Sequence, residues 1–157
     1  MDAQIELERA MHRLQADYWA RVDYLDAAPP EELFTDDSVF ELGAITLRGR
    51  TELGEFFRRR REASDAAGRV TRHLSANLRL LRVEPESVEV ATTVLVMSGY
   101  GALPATSSIP SVGDFQDLCV LSGGHWRFRR RRATSVFAGP DAAPFARAAE
   151  PQRDPQG

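Results

Sequence analysis

Apolar residues near the start of the chain recur with a helical period. Leu7, Met11, Leu14, Tyr18, Val22 and Leu25 follow one another at steps of four, three, four, four and three. The pattern predicts an amphipathic helix over residues 3–27, stopped by Pro29-Pro30. A helix of that length is held mainly by what its apolar face packs against. Two residues fit a plain core helix poorly. Tyr18 lies inside the stripe, where its hydroxyl needs a partner. Asp23 follows Trp19 by four residues on the flank of the stripe, where a buried carboxylate is costly unless paired. A snorkelling tyrosine and a solvated aspartate would give the same pattern.

The chain then continues through short elements. Residues 29–34 predict a second, short helix, with proline pre-set for its first turn and acids near its positive end. Asp36-Asp37 signals a turn, 39–42 a strand, and 45–48 its hairpin mate across Gly43-Ala44. Thr51 is placed as the N-cap of a third helix, with Leu53, Phe56 and Phe57 on its apolar edge and Arg58 to Arg61 at its negative end. Residues 64–68 read as a loop. From Val70 the period changes to two. Strands are predicted at 70–83, 87–99, 112–121 and 125–137, with turns at 84–86 and 122–124 and a long loop at 101–111. Helices first and long antiparallel strands afterwards predict an α+β fold. In it the N-terminal helices pack in the concave face of a curved, mostly antiparallel sheet, an α+β cone with room for a small ligand. One domain is expected over residues 1–137, followed by a Pro/Ala-rich flexible tail at 138–157.

Composition narrows the class. With 157 residues, 43% hydrophobic and 27% charged, the chain is long enough for one real core. No apolar run has the length of a membrane span, and Asp2, Glu6 and Glu8 are unlike a signal peptide. The lone Cys119 excludes an internal disulfide and fits a reducing cytoplasm, where we place the protein. A net charge of −3 argues against general nucleic-acid binding. All 20 basic residues are arginine, so no lysine of this chain can form a Schiff base or act as a base.

The residues able to do chemistry are few. Alternation along the strand at 70–83 puts His73, Ser75 and Asn77 on one face and Leu74, Ala76, Leu78 and Leu80 on the other. The polar face is either wet or lines a pocket. In a pocket, His73 could give and take protons near neutral pH. Asp117 shares a strand face with Phe115 and Cys119, and is assigned to orienting a partner or pairing with an arginine of the last strand. Arg127 and Arg129 to Arg132 are split between two faces and lack a stacking platform, so they read as a solvated face with one or two ion pairs. There is no Gly-rich phosphate loop, His-x-x-x-His pair or Gly-x-Ser-x-Gly elbow. Asp23, Asp26 and His73 are too few to define a metal site, and none is expected. Trp19, Phe40, Phe57, Val94, Leu95, Met97 and Trp126 are the candidate apolar lining, with Asn77 and Asp117 as polar members.

The order Tyr18-x-x-x-x-Asp23, then Leu33-Phe34-Thr35-Asp36-Asp37-Ser38-Val39-Phe40, Leu47-Arg48-Gly49-Arg50, Arg72-His73-x-x-x-Asn77 and Gly124-His125-Trp126-Arg127-Phe128 resembles the SnoaL-like branch of the nuclear transport factor 2 fold. The resemblance spans roughly residues 5–137. That group includes polyketide cyclases, scytalone and bile-acid dehydratases, steroid isomerases, epoxide hydrolases and the small subunits of ring-hydroxylating dioxygenases. In its dehydratases a helix-borne Tyr and Asp face a strand-borne His. The resemblance therefore implies Tyr18, Asp23 and His73 as catalytic residues, and a dehydratase, cyclase or isomerase acting on a polyketide-, aromatic- or steroid-like compound in secondary metabolism. It implies no cofactor, a small apolar or aromatic substrate, and a homodimer. Two alternatives stand beside it: a non-catalytic ligand-binding or dioxygenase-small-subunit-like protein, and an epoxide hydrolase.

Overall fold

The computed structural model describes residues 3–108, 110–139 and 142. Most of the tail expected at 138–157 therefore lies outside the described residues. Helix α1 (Ala3–Val22) is followed by a short 3-10 helix at Pro30–Leu33, strands β1 (Phe34–Leu42) and β2 (Ile45–Arg48), and helix α2 (Gly49–Ala67). Four long strands complete the fold: β3 (Arg69–Glu84), β4 (Ser87–Tyr100), β5 (Ser111–Ser122) and β6 (His125–Phe137). They form one six-stranded sheet in the order β2-β1-β6-β5-β4-β3. Every neighbouring pair is antiparallel except β1 with β6, which is parallel, the chain between them running through β2, α2 and β3 to β5. The sheet is curved and unclosed, with both helices packed against it, as an α+β cone requires.

The core joins the α1 stripe to the sheet. Met11, Leu14, Tyr18, Trp19 and Val22 are buried with Phe34, Phe40, Leu53, Phe57, Val90, Val94, Phe115 and Phe128. Burying each large apolar side chain contributes about 1.5–3 kcal/mol. The helix stops five residues short of its expected end. Tyr24 takes a left-handed conformation (φ 61), so that Leu25 N–H reaches the Ala20 carbonyl at 2.8 Å and Tyr24 N–H the Arg21 carbonyl at 3.2 Å. This is a Schellman stop, with tyrosine in the place glycine usually fills. Leu25, expected in the stripe, is 63% exposed as a result.

Other boundaries moved for local reasons. The Asp36-Asp37 turn is instead part of β1, where a register shift between Phe34 and Val39 absorbs it. Helix α2 begins at Gly49, whose φ of 71 a side chain would tolerate poorly. Glu52 Oε2 accepts from Arg48 N–H at 2.6 Å there, and Thr51 is inside the helix. At the other end α2 runs through the expected loop to a left-handed Gly68.

Two bulges rewrite the alternation read from the sequence. In β3 one extra residue between Ala76 and Arg79 coincides with a left-handed Asn77 (φ 54), a conformation asparagine accepts. Leu78 and Leu80 consequently pack on the core, while Leu74 stays 51% exposed on the outer face. In β6 the register shift at Leu118/Cys119 leaves Arg129 without an opposite number. Phe128 and Arg131 thereby both point inward.

Candidate active site

A cavity of about 660 Å³ lies between the helices and the sheet. Tyr18, Trp19 and Val22 of α1, Phe56, Phe57 and Arg60 of α2, and Phe40, Leu42, Ile45 and Leu47 of the β1–β2 hairpin line it. The sheet adds Thr71 and His73 of β3, Val96 and Ser98 of β4, and Val112 and Phe115 of β5. Most of this surface is apolar. The exceptions include Glu52, Glu55, Arg59 and Arg60 of α2, Thr71 and His73 of β3, and Ser98 and Ser108, whose hydroxyls lie 3.2 Å apart.

The chemistry concentrates at the junction of α1 and β3. Asp23 sits immediately after the last helical residue, so the Schellman turn aims its carboxylate at the sheet. Its Oδ1 lies 2.6 Å from His73 Nδ1 and accepts the Thr71 hydroxyl at 2.7 Å, while its Oδ2 accepts the His73 backbone N–H at 2.8 Å. Burial pushes the Asp23 carboxyl up, but the His73 ring and backbone bonds and the Thr71 bond outweigh it and hold the group below the usual range. Burial drives His73 down from 6.5; Asp23 opposes this, and Arg60 and Arg69 add to it. The two directions agree on one state at neutral pH, an ionised Asp23 beside a neutral imidazole. An ionised carboxylate only accepts, so Nδ1 carries the proton and Nε2 is the bare nitrogen.

Trp19 fixes the plane of that imidazole. The indole stacks on His73 with centroids 4.3 Å apart and planes 8° from parallel. Tyr18, one residue earlier, is buried among Trp19, Phe34, Phe57 and Phe128. Its hydroxyl has no hydrogen-bond partner among the described residues, although it belongs to a residue lining the cavity. Burial pushes its pKa up to about 12, against the pull of the Arg131 guanidinium 4.3 Å from its ring. A donor left unsatisfied in a mostly apolar cavity is a place for a ligand oxygen.

Phe40 and Phe57 line the cavity, as does Trp19, so these join Tyr18, Asp23 and His73 in one place. Six expected members do not. Asn77 is exposed at the β3 bulge, beyond the cavity. Met97 lies on the opposite face of β4 from Val96 and Ser98, and Leu95 shares that face. Val94 is sealed in the core, and Trp126 packs against the core from the far end of β6. Asp117 is buried behind the cavity wall, 3.7 Å from Arg131 Nε, and accepts Gln15 Nε2–H at 2.7 Å. It therefore pairs with an arginine of the last strand and does not touch the cavity. Arg129 and Arg130 form the outer ion pairs expected of their run, with Asp37 and Glu41. Among the described residues no three His, Cys, Asp or Glu side chains are placed to hold a metal. Among the described residues no helix is long and apolar enough to cross a membrane.

Four participants were not read from the sequence. Thr71 could have been, since it stands two residues before His73 on the same strand face. Arg60 was lost within the run Arg58 to Arg61, and Gln15 and Arg131 gave no signal short of the fold.

Residues 3–132 match the family model of the SnoaL-like domain. Among solved structures, similar folds include a candidate scytalone dehydratase from Novosphingobium aromaticivorans (21% identity, TM-score 0.72, 85% of this chain and 87% of that one). Another is ActVI-ORFA from Streptomyces coelicolor (17%, 0.73, 87% and 99%). A third is an NTF2-like protein with a cystatin-like fold from Novosphingobium aromaticivorans (20%, 0.70, 88% and 88%). No curated protein matches the chain in sequence.

Proposed function

Because the chain belongs to the SnoaL-like domain family, we propose that it is a lyase or isomerase working by general acid–base catalysis on a small oxygenated aromatic or polycyclic compound. Family membership and the apolar cavity support the coarser statement, a small-molecule enzyme or ligand-binding protein. The observation that carries the enzymatic reading is the 2.6 Å contact of His73 Nδ1 with Asp23 Oδ1, made by a histidine that lines the cavity. His73 Nε2 takes the proton α to a substrate carbonyl, and Asp23 holds the imidazolium that results. The Tyr18 hydroxyl donates to the enolate oxygen that develops. In a β-hydroxy carbonyl compound the enolate expels the hydroxyl, which leaves as water with the proton His73 returns. In a β,γ-unsaturated carbonyl compound, return of the proton to the γ carbon of the dienolate moves the double bond, and attack of the enolate carbon on a second carbonyl, whose oxygen takes the proton, closes a ring. These steps require no cofactor.

The test is a turnover screen of β-hydroxy aromatic ketones with the wild type and Tyr18→Phe. Loss of one oxyanion donor is expected to lower kcat by about a hundredfold, with ligand binding retained because the ring remains. Binding without turnover by the wild type across the series would overturn catalysis in favour of a ligand carrier.

A homodimer belongs to the proposal too, supported by the exposed Leu74, Leu81 and Val83 of the edge strand β3. Light scattering is expected to give about twice the 17.5 kDa chain mass, and a monomer would refute it.

A further inference from the structure

One side chain on another element touches both chain neighbours of Asp23. Arg60 of α2 reaches across and donates from one nitrogen to the Val22 carbonyl at 2.7 Å and to the Tyr24 hydroxyl at 2.8 Å. These are the two chain neighbours of Asp23. From its other terminal nitrogen it donates to Thr71 Oγ1 at 3.2 Å, and Thr71 is the hydroxyl that serves Asp23. Arg60 thus grips both flanks of the aspartate and its side-chain partner. Its guanidinium also lies 5.4 Å from the centroid of the Tyr24 ring, the residue in the left-handed stop conformation.

The chemistry of this chain of bonds has a direction. A guanidinium has five N–H donors, no acceptor and a permanent charge. Facing it, the Thr71 hydroxyl can only accept, and its single proton must point elsewhere. The neighbouring acceptor is Asp23 Oδ1. That oxygen then receives Thr71 O–H and the His73 Nδ1 proton side by side, which leaves His73 Nε2 bare.

We propose that Arg60 is a positioning residue for the His73–Asp23 dyad: by donating to Val22, Tyr24 and Thr71 it orients the Thr71 proton and the Asp23 carboxylate, and so fixes the tautomer of His73. The consequence for catalysis rests on the dyad being the acid–base pair. The tautomer itself does not, so it can be measured without a substrate.

The experiment uses the intact, ¹⁵N-labelled chain above the titration range of His73. Imidazole ¹⁵N shifts are recorded for the wild type, Arg60→Met, Arg60→Lys and Thr71→Val, with the His73 signals identified by their loss in His73→Gln. The wild type is expected to show a single Nδ1–H tautomer. Arg60→Met and Thr71→Val should each enrich the Nε2–H form by about tenfold, the weight of one charge-assisted hydrogen bond. Arg60→Lys, which keeps a cationic donor, should restore most of the wild-type pattern. The double variant Arg60→Met/Thr71→Val should be no worse than either single change, because both break one relay. An unchanged tautomer in folded Arg60→Met, or additive effects in the double variant, would overturn the proposal. Should Arg60→Met not fold, Thr71→Val still decides: an undisturbed tautomer there removes the relay through which Arg60 acts. A wild type with the expected tautomer and no turnover would count against the enzymatic function alone.

Discussion

His73→Gln is expected to reduce turnover by roughly 10²- to 10⁴-fold, the contribution of a well-placed general acid–base group. The fold should survive, since the ring is packed against Trp19 at the cavity edge and not within the main core. Asp23→Asn should approach the same loss by another route. The amide can present N–H to His73 Nδ1, which reverses the tautomer and puts the proton on the nitrogen that should be bare. The pH profile separates the two. His73 works as a base in its neutral form, and its folded pKa is depressed below 6.5 by burial. Activity should therefore rise with pH along a single acid limb whose midpoint lies below 6.5, then level off. Asp23 is the group that raises the His73 pKa, so Asp23→Asn should shift that limb to still lower pH while lowering the plateau. Steady-state kinetics of both variants, with circular dichroism to establish folding, check the expectation. Full turnover by both would sink the dyad as the catalytic pair.

How much of this was legible in the sequence depends on the range over which each feature is decided. The α1 stripe is a local consequence of the helical period, and from Leu7 to Val22 it appears where the pattern put it. Tyr18 inside the stripe was visible as an anomaly. The structure turns it into an observation about ligands, because its hydroxyl finds no protein partner. Features set by the register of one strand against another were not legible. The extra residue at Asn77 removes it from the cavity and turns Leu78 and Leu80 inward, and nothing in β3 alone announces that shift. The bulge at Arg129 likewise sends Arg131, one of four consecutive arginines, into the core. Asp23 falls between these cases. Its helical spacing marked it as half-buried, but the Schellman stop that aims it at β3 needs Tyr24 in a conformation tyrosine seldom takes. The resemblance supplied the pairing with His73 that periodicity could not.

Arg131 carries the second large effect, and it concerns stability. The side chain is 0% exposed, and its guanidinium lies 4.3–5.1 Å from the ring centroids of Tyr18, Phe128, Phe115 and Trp19. One terminal nitrogen donates to Gln15 Oε1 at 2.9 Å, while Nε and the other terminal nitrogen have no hydrogen-bond partner. Aromatic faces help to hold a cation, yet among the described residues the only carboxylate pairing with it is Asp117, at 3.7 Å from Nε. Asp117→Ala would leave that charge buried and unpaired, and should cost about 3–5 kcal/mol, a large part of the roughly 5–15 kcal/mol that stabilises an ordinary domain. The solvent-exposed pairs Arg129–Asp37 and Arg130–Glu41 should cost at most about 1 kcal/mol each when broken. The pair is nevertheless not a net stabiliser. Burial raises the proton affinity of Asp117 despite Arg131 and Gln15 beside it, so the carboxylate is harder to ionise there than in water. Replacing both partners by apolar residues, Asp117→Leu with Arg131→Met, should therefore recover the loss and bring stability to the wild-type level or above. Urea denaturation of the three proteins measures this directly. If Asp117→Ala unfolds at the wild-type midpoint, or the double variant is less stable than the single, the charge is solvated in a way the packing does not allow. With the expected order, the arginine is kept at a cost to stability, and its position against the rings of Tyr18 and Trp19 gives the cost a use: it draws the Tyr18 pKa down against burial, which makes its hydroxyl a stronger donor in the cavity.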